Sequence, residues 1–274
     1  MLMLIIIVLG LCLGSFINAW VWRVYKQQNA RSVKTKSKYS LLHGRSMCVD
    51  CGHELSPIDL VPLLSWLSLR GKCRYCKAKI SWQYPAVELL TTLLFVISYL
   101  SWGPITGAWP LITLGLWLFQ LTCLIALSVY DIRWYILPNK MLLPLALAVA
   151  LELTAYGIQG ALDTVVVVNL LLSTAIAGGI FWVIFQISKG KWIGGGDVKL
   201  GALLGLILGR PDQSFLLLFL ASLLGVLAAL PALSFKKLTI KQQLPFGPFL
   251  VLATIITKLA GADMIHWYLR VAGL

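Results

Sequence analysis

Long apolar runs alternate with short polar segments along the chain. Leu2–Trp22 carries no charged residue, and further apolar stretches lie near Pro85–Ser101, Trp109–Tyr130, Pro138–Tyr156, Leu162–Ile187, Val198–Leu208, Phe215–Leu233 and Phe246–Ala260. A helix needs about 20 apolar residues to cross a hydrocarbon core about 30 Å thick, and most of these runs meet or approach that length. Runs such as Leu216–Leu220 do not alternate as lipid-facing strands must. The predicted fold is an all-α polytopic membrane protein with about eight transmembrane helices.

One run is too short. At 1.5 Å rise per residue, Val198–Leu208 would cover only about 17 Å as a helix. Three glycines, Gly194, Gly195 and Gly196, precede it. Flexible backbone at membrane depth is tolerated only inside protein or beside a water-filled cavity. This region is therefore expected to form an internal, partly wet site.

Composition agrees with the pattern: 59% of residues are hydrophobic and 12% are charged, against about 25% charged in soluble domains. The net charge of +13 does not point to nucleic acid, because the basic residues lie between the apolar runs. With Arg23–Tyr84 placed inside, the four inner segments hold 12, 2, 3 and 3 basic residues, including Lys236, Lys237 and Lys241 in the last. Only Arg210, Lys258 and Arg270 fall outside. This one-sided bias orients the chain with both termini outside and the large loop in the cytoplasm. Met1–Trp22 has no basic leader region and no small-residue cleavage site, so it reads as an uncleaved first span. The expected organisation is a first transmembrane helix over 1–22, a cytoplasmic domain over 23–84 and a seven-helix membrane domain over 85–274.

The cytoplasmic segment contains Cys48-Val49-Asp50-Cys51 and Cys73-Arg74-Tyr75-Cys76, with 21 residues between the pairs. Two such pairs can supply four thiolates to a tetrahedral Zn²⁺, and Arg70, Lys72, Arg74 and Lys77 would offset their charge. A redox-active pair or fortuitous spacing are the alternatives, and a reducing cytoplasm disfavours structural disulfides. Four-thiolate sites are closed, so such a zinc is structural. His43 and His53 flank the first pair; His53 could replace one cysteine as a ligand, but the all-cysteine set is simpler and a surface histidine is the plainer reading. Cys12 and Cys123 lie in apolar runs and are expected to be packed thiols.

Two carboxylates stand out at membrane boundaries. Asp131 ends the third run and Asp197 opens the short sixth one, 66 residues later. Acids near lipid are costly without a partner or a function. Brought together around a water, one carboxylate can act as general base while the other donates a proton to a carbonyl. The plainer alternatives are that Asp131 pairs with Arg133 and that Asp197 caps a helix. Glu88 is a candidate for a substrate or donor contact, with a weaker claim for Glu152. Lys199 is either a substrate contact or a lysine snorkelling to the surface. Asn18 is placed to join helices, and Trp20, Trp22, Trp82, Trp134 and Trp192 fit the cytoplasmic boundary. No glycine-rich dinucleotide-type motif occurs in a strand–turn–helix context.

These residues together resemble the type IV prepilin leader peptidase and N-methyltransferase family. The resemblance covers nearly the whole chain. It rests on Leu13-Gly14-Ser15-Phe16-Ile17-Asn18, Arg45-Ser46 with the two cysteine pairs, Leu69-Arg70-Gly71-Lys72-Cys73, Pro85-Ala86-Val87-Glu88-Leu89-Leu90-Thr91, Asp131 with Leu137-Pro138-Asn139, Gly194-Gly195-Gly196-Asp197-Val198-Lys199 of the GxGD type, and Pro245-Phe246-Gly247-Pro248-Phe249. It implies a bifunctional enzyme of the bacterial inner membrane. Such enzymes cut the leader from type IV prepilins and type II secretion pseudopilins after a glycine, then methylate the new N-terminal amine with S-adenosyl-L-methionine. It also implies that Asp131 and Asp197 are the catalytic pair. Val49 stands where the family often has proline, which alters backbone preference only. A peptidase without methylation is the narrower alternative. A zinc-stabilised transporter or scaffold is the alternative from another class, and it predicts solute flux and uncut substrate.

Overall fold

A computed structural model describes residues 1–30, 37, 39–41, 44–103, 105–234 and 244–273, with the side chains of 231–234 left aside. His43, Lys236, Lys237 and Lys241 lie outside the described residues. No strand occurs among the described residues, only two isolated bridges. The chain forms two compact units, Met1–Leu114 and Gly115–Leu274.

Seven helical segments are long and apolar enough to cross a membrane, and the short eighth run is also helical, so the polytopic all-α expectation holds. In the first unit, α1 spans Leu2–Gln28, six residues beyond the predicted span. The extension past Trp22 carries Arg23 and Lys26, and Arg23 Nη1 donates to the Ser40 carbonyl at 3.1 Å. A five-residue helix, α2, covers Leu64–Ser68, and α3 covers Gln83–Ser101.

The α1–α3 pair is built on two glycines one turn apart. A Cβ on Gly10 would lie 2.7 Å from Thr92 Cα, and one on Gly14 would lie 2.6 Å from Glu88 Cα. Small residues at this spacing let two membrane helices touch backbone to backbone, gaining dispersion where lipid supplies no hydrophobic drive. Asn18 adds polar contacts: it donates to the Tyr84 carbonyl at 3.2 Å and accepts from Gln83 Nε2 at 3.2 Å. It joins the helices as expected. Glu88 is buried, and its Oε2 accepts the Leu63 N–H at 2.8 Å. A backbone donor of the loop thus explains its costly position.

The segment before the second cysteine pair departs from the hydrophilic loop expected of it. A 3₁₀ turn, Pro57–Leu60, and α2 form an apolar elbow with Ile58, Leu64 and Leu67 more than 60% exposed. Of the two cysteines in apolar runs, Cys123 is buried as expected and Cys12 is exposed on α1.

The second unit continues α4, Ala108–Trp134, and adds α5 over Asn139–Ile158. The fifth predicted run is a single 25-residue span divided into α6, Thr164–Thr174, a π turn over Ala175–Gly179, and α7, Ile180–Ser188. Asp163 caps α6 by accepting the Val166 N–H at 2.7 Å. The short helix α8 runs Gly195–Leu208, 14 residues or about 21 Å at 1.5 Å per residue. It starts three residues earlier than the apolar run because the glycines and Asp197 form its first turn. Helices α9, Pro211–Ser234, and α10, Gly247–Ala272, complete the unit. The last exceeds its predicted run by 12 residues, ending in a stretch with exposed Trp267 and Tyr268.

The π turn lies against α8. A Cβ on Gly201 would lie 2.7 Å from the Ala177 carbonyl, and one on Gly205 would lie 2.6 Å from the Ser173 carbonyl. The far end of α8 meets Lys258, counted above among the outer charges. Its Nζ donates to the Ile207 carbonyl at 2.9 Å and lies 5.9 Å from the Trp117 ring centroid. A cation there answers the unpaired carbonyls and negative dipole end of a helix that stops short. Nearby, Gln120 donates to Glu152 Oε2 at 2.6 Å, and Glu152 acts electrostatically on Lys258. Gln120 Nε2, Glu152 and Lys258 thus find partners within the bundle, which accounts for their place in apolar helices, while Gln120 Oε1 is buried without a hydrogen-bond partner among the described residues.

Candidate active site and metal centre

Asp131 sits in the last turn of α4 and is only 5% exposed. Tyr135, at φ +57°, ends the turn by donating its N–H to the Asp131 carbonyl at 2.8 Å. The carboxylate is gripped from another helix: its Oδ2 accepts the Gly247 N–H at 3.0 Å. Gly247 opens α10, with Pro248 behind it. The first N–H groups of a helix lack intrahelical acceptors and carry partial positive charge, so this end suits a carboxylate. Only glycine permits the approach, since a Cβ would lie 2.7 Å from Asp131 Oδ2.

Asp197 is the third residue of α8, and its Oδ2 accepts the Gly194 N–H at 3.2 Å. The N-cap is thus Gly194, and Asp197 reaches back to it from the third helical position rather than being the N-cap itself, as the plainer alternative had it. Leu137, buried, packs between the two aspartate supports. A Cβ on Gly196 would lie 2.8 Å from Leu137 Cβ, and one on Gly247 would lie 3.5 Å from Leu137 Cδ2. The carboxylates are near enough for the Asp197 charge to act on Asp131. Two acids from separate helices thus share one locality despite 66 intervening residues.

The flanking residues take other partners. No ion pair links Asp131 to Arg133 among the described residues, and Arg133 instead lies over the Trp134 ring at 5.7 Å. Lys199 donates to Asn139 Oδ1 at 2.9 Å, tying α8 to the start of α5. Sequence reasoning left Gly247 and Leu137 without a role. Their signals were present in the Pro245–Phe249 and Leu137–Asn139 motifs, but nothing local said that they grip an aspartate.

The cysteine pairs are two copies of one backbone device. In the first, the Cys48 N–H donates to the His53 carbonyl at 2.9 Å and the Gly52 N–H to the Cys48 carbonyl at 3.0 Å. In the second, Cys73 donates to Ala78 at 2.8 Å and Lys77 to Cys73 at 3.0 Å. The residue after each pair is left-handed, Gly52 at φ +70° and Lys77 at φ +61°. Isolated bridges, Met47 with Glu54 and Lys72 with Lys79, close the two loops. The knuckles meet through the His53 and Tyr75 rings, 3.7 Å apart at their centroids.

The four Sγ atoms lie within 4.8 Å of one another. Thiolates about 2.3 Å from a tetrahedral Zn²⁺ would be about 3.8 Å apart, and Cys48 Sγ and Cys76 Sγ are separated by 3.8 Å. The donor set, four thiols within 4.8 Å of one another, is of the kind and size that suit a tetrahedral zinc. Burial works against ionising Cys73, but N–H donors from Cys76 and Tyr75 and the sulfurs of Cys48 and Cys76 bring it down to about 7. Asp59 braces the second knuckle from the elbow, pairing with Arg74 Nε at 2.7 Å and accepting from Ser56 Oγ at 2.8 Å.

Residues 8–102 match the model of the bacterial peptidase A24 N-terminal domain, and residues 118–230 match that of the type IV leader peptidase family. A prepilin leader peptidase/N-methyltransferase of Pseudomonas aeruginosa is 33% identical, covering 97% of this chain and 93% of the relative. One of Bacillus subtilis is 30% identical, covering 98% of each, and one of Aeromonas salmonicida is 30% identical, covering 97% and 93%. No solved structure matches the chain. Similarity of this extent, from the first helix to the last, makes the chain a member of the type IV leader peptidase family.

Proposed function

We propose that this protein is a membrane aspartic endopeptidase that removes the leader of type IV prepilins or type II secretion pseudopilins after a glycine. It then N-methylates the exposed residue. The observation that carries the peptidase reading is the convergence of Asp131 and Asp197, each held by a backbone N–H. Like charges at close range favour a state in which one carboxylate keeps a proton. The ionised member takes a proton from water as the oxygen attacks the peptide carbonyl carbon. The protonated member gives its proton to the carbonyl oxygen. Collapse of the intermediate breaks the C–N bond and passes a proton to the leaving amine, so the products are a leader carboxylate and a free N-terminal amine. Neither carboxylate can be base and acid at once, so both are required.

For the second activity, S-adenosyl-L-methionine supplies the methyl group when bound. We assign the 23–84 segment, with zinc on Cys48, Cys51, Cys73 and Cys76, to this methyltransferase-associated part, and 85–274 to the peptidase. The positive-inside bias supports an inner-membrane protein with zinc module and aspartates on the cytoplasmic face and both termini outside.

The test is cleavage of a full-length prepilin by purified wild type, Asp131→Asn and Asp197→Asn in detergent. Each variant keeps size and much of the hydrogen bonding but loses the titrating group. Each should lose cleavage by a factor of about 10³ or more, and the double variant should be little worse, because residues acting as a unit are non-additive. Methylation of pre-cut pilin should largely survive. Near-normal cleavage by either folded variant overturns the assignment.

A further inference from the structure

The apolar elbow between the two cysteine pairs is anomalous for a cytoplasmic loop. Arg23–Tyr84 holds 12 basic residues, yet none falls between Ser46 and Leu69. Within that gap, Pro57-Ile58-Asp59-Leu60-Val61-Pro62-Leu63-Leu64-Ser65-Trp66-Leu67 carries one charge, and Asp59 is spent on Arg74 and Ser56. Burying apolar side chains is the ordinary fate of such a run. Here Ile58 is 71% exposed, Leu64 65% and Leu67 62%.

Its contacts give its depth. An open groove of about 620 Å³ has Val8, Leu11 and Cys12 on one wall and Pro57 with Leu60–Leu64 on the other. Trp22 marks the cytoplasmic end of the uncharged part of α1. Cys12 lies ten residues before it and Val8 fourteen, which is about 15 and 21 Å along the helix. A second contact agrees. The Leu63 N–H reaches Glu88, and Glu88 Cα is beside Gly14, eight residues or about 12 Å inward from Trp22. The elbow therefore folds back alongside α1 at the level of hydrocarbon.

We propose that residues 57–68 form a re-entrant elbow inserted into the cytoplasmic leaflet, with lipid acyl chains covering its exposed leucines and isoleucine. The occupant follows from continuity. The exposed side chains of α1 (Leu4, Ile5, Val8, Leu9 and Phe16) face outward on a membrane span, and the elbow extends the same apolar surface. Backbone chemistry agrees. Irregular chain at this depth must have its donors satisfied within protein. Pro57 and Pro62 have none. The N–H groups of Asp59, Leu64 and Ser65 are taken by the carbonyls of Ser56, Pro62 and Val61. That of Leu63, where φ is +58°, is taken by the buried carboxylate of Glu88. This gives Glu88 a positioning role for the elbow. The elbow would also fix the metal centre to the membrane surface, through Asp59 on Arg74 and Trp66, whose ring packs on Gly71.

The experiment measures depth and does not depend on either activity. With Cys12 and Cys123 changed to serine and the four knuckle cysteines kept loaded with zinc, cysteines introduced one at a time at Leu60, Leu64 and Leu67 are spin-labelled in phosphatidylethanolamine–phosphatidylglycerol vesicles, and the signal of the same protein with no introduced cysteine is subtracted. Leu9 on α1 and Val49 on the first knuckle serve as lipid and water references. The elbow labels should be as poorly reached by a water-soluble nickel complex as Leu9, and as well reached by oxygen. Nickel access equal to that at Val49 overturns the proposal. Because a substitution can disturb the elbow, the unlabelled wild type is also cross-linked to lipids carrying a photoreactive acyl chain. Adducts in the peptide 57–69 are expected, and adducts confined to the long helices overturn it equally.

Discussion

The cysteine knuckles and the aspartate pair each assemble chemistry from residues far apart in the chain, but in opposite ways. Every knuckle is complete within eight residues: a bridge, a turn, two sulfurs and a left-handed residue, repeated with the same hydrogen bonds in both copies. Only docking of two finished loops remains, and a metal would supply that. The aspartates have no such local device. Asp131 depends on the first N–H of a helix 116 residues later, and Asp197 on the packing of Gly196 against Leu137. A locally written site should fail locally when damaged. A tertiary one should fail when any of several distant helices shifts.

The sharpest way to break the comparison is Gly247→Ala. The added Cβ would sit 2.7 Å from Asp131 Oδ2, displacing the carboxylate or the start of α10. Misplacement by about 1 Å can cost about 10²-fold in rate, so cleavage should fall by roughly that factor while zinc content stays at the wild-type level. Metal analysis beside a cleavage assay reads both. Loss of metal along with activity would mean that the two sites are not separately encoded.

The converse change is Cys48→Ser or removal of metal by a chelator. Ligation free energy is folding free energy in a small metal module, so the segment 45–80 should lose hydrogen-exchange protection while the long helices keep theirs. Cleavage should fall less than tenfold, since the aspartates take their hydrogen bonds within the second unit. Complete metal independence of exchange across 45–80 would contradict the structural zinc assignment.

A smaller effect is expected at the far end of α8. Lys258→Met removes the cation at the Ile207 carbonyl and leaves Glu152 without its influence. Charge–helix-end contacts are worth about 0.3–2 kcal/mol, so thermal unfolding of the membrane domain should come a few degrees earlier, with metal content unchanged. Equal midpoints for variant and wild type would remove the capping role.

The smallest concerns Asp59. Burial acts to raise its carboxyl, but the hydrogen bonds from Arg74 and Ser56 and the Arg74 charge outweigh that and hold it below the ordinary aspartate value. A depressed folded value means that the pair stabilises above the unfolded pKa, near 3.9, and that this is lost as pH falls through the folded one. Asp59→Asn should release zinc more readily at neutral pH by a factor of a few. The difference from wild type should shrink in acid. Competition with a chromophoric chelator at several pH values measures it, and a gap that widens in acid would have the wrong sign.

How much could be read beforehand follows from this contrast. The spans were legible because lipid imposes a length and forbids charge, and the expected runs match helices to within a few residues at most ends. The long ends of α1 and α10 escaped, since a helix can continue into water with charged residues. The cysteine set was legible from spacing alone, because two-residue gaps have few ways to turn. Asp131 and Asp197 were visible as expensive acids, but their grips were not, because Gly247 and Leu137 look like ordinary packing residues until helices are juxtaposed. The partner of Lys258 was hidden for the same reason. Counting charges by loop assigns a lysine to the nearer face, and only the packing of α8 beneath it shows a carbonyl to bind.

Short stretches of the chain thus specify a many-helix membrane protein, a four-thiolate module and two acids worth watching, since hydrophobic length, cysteine spacing and the cost of buried charge are properties of short windows. Tertiary packing set which glycine N–H groups hold the acids and put a lysine at the end of the short helix. It also decided that part of the apparent loop runs alongside a membrane helix. Those outcomes depend on close approach between segments tens of residues apart, and no local pattern encodes which backbone atoms will meet.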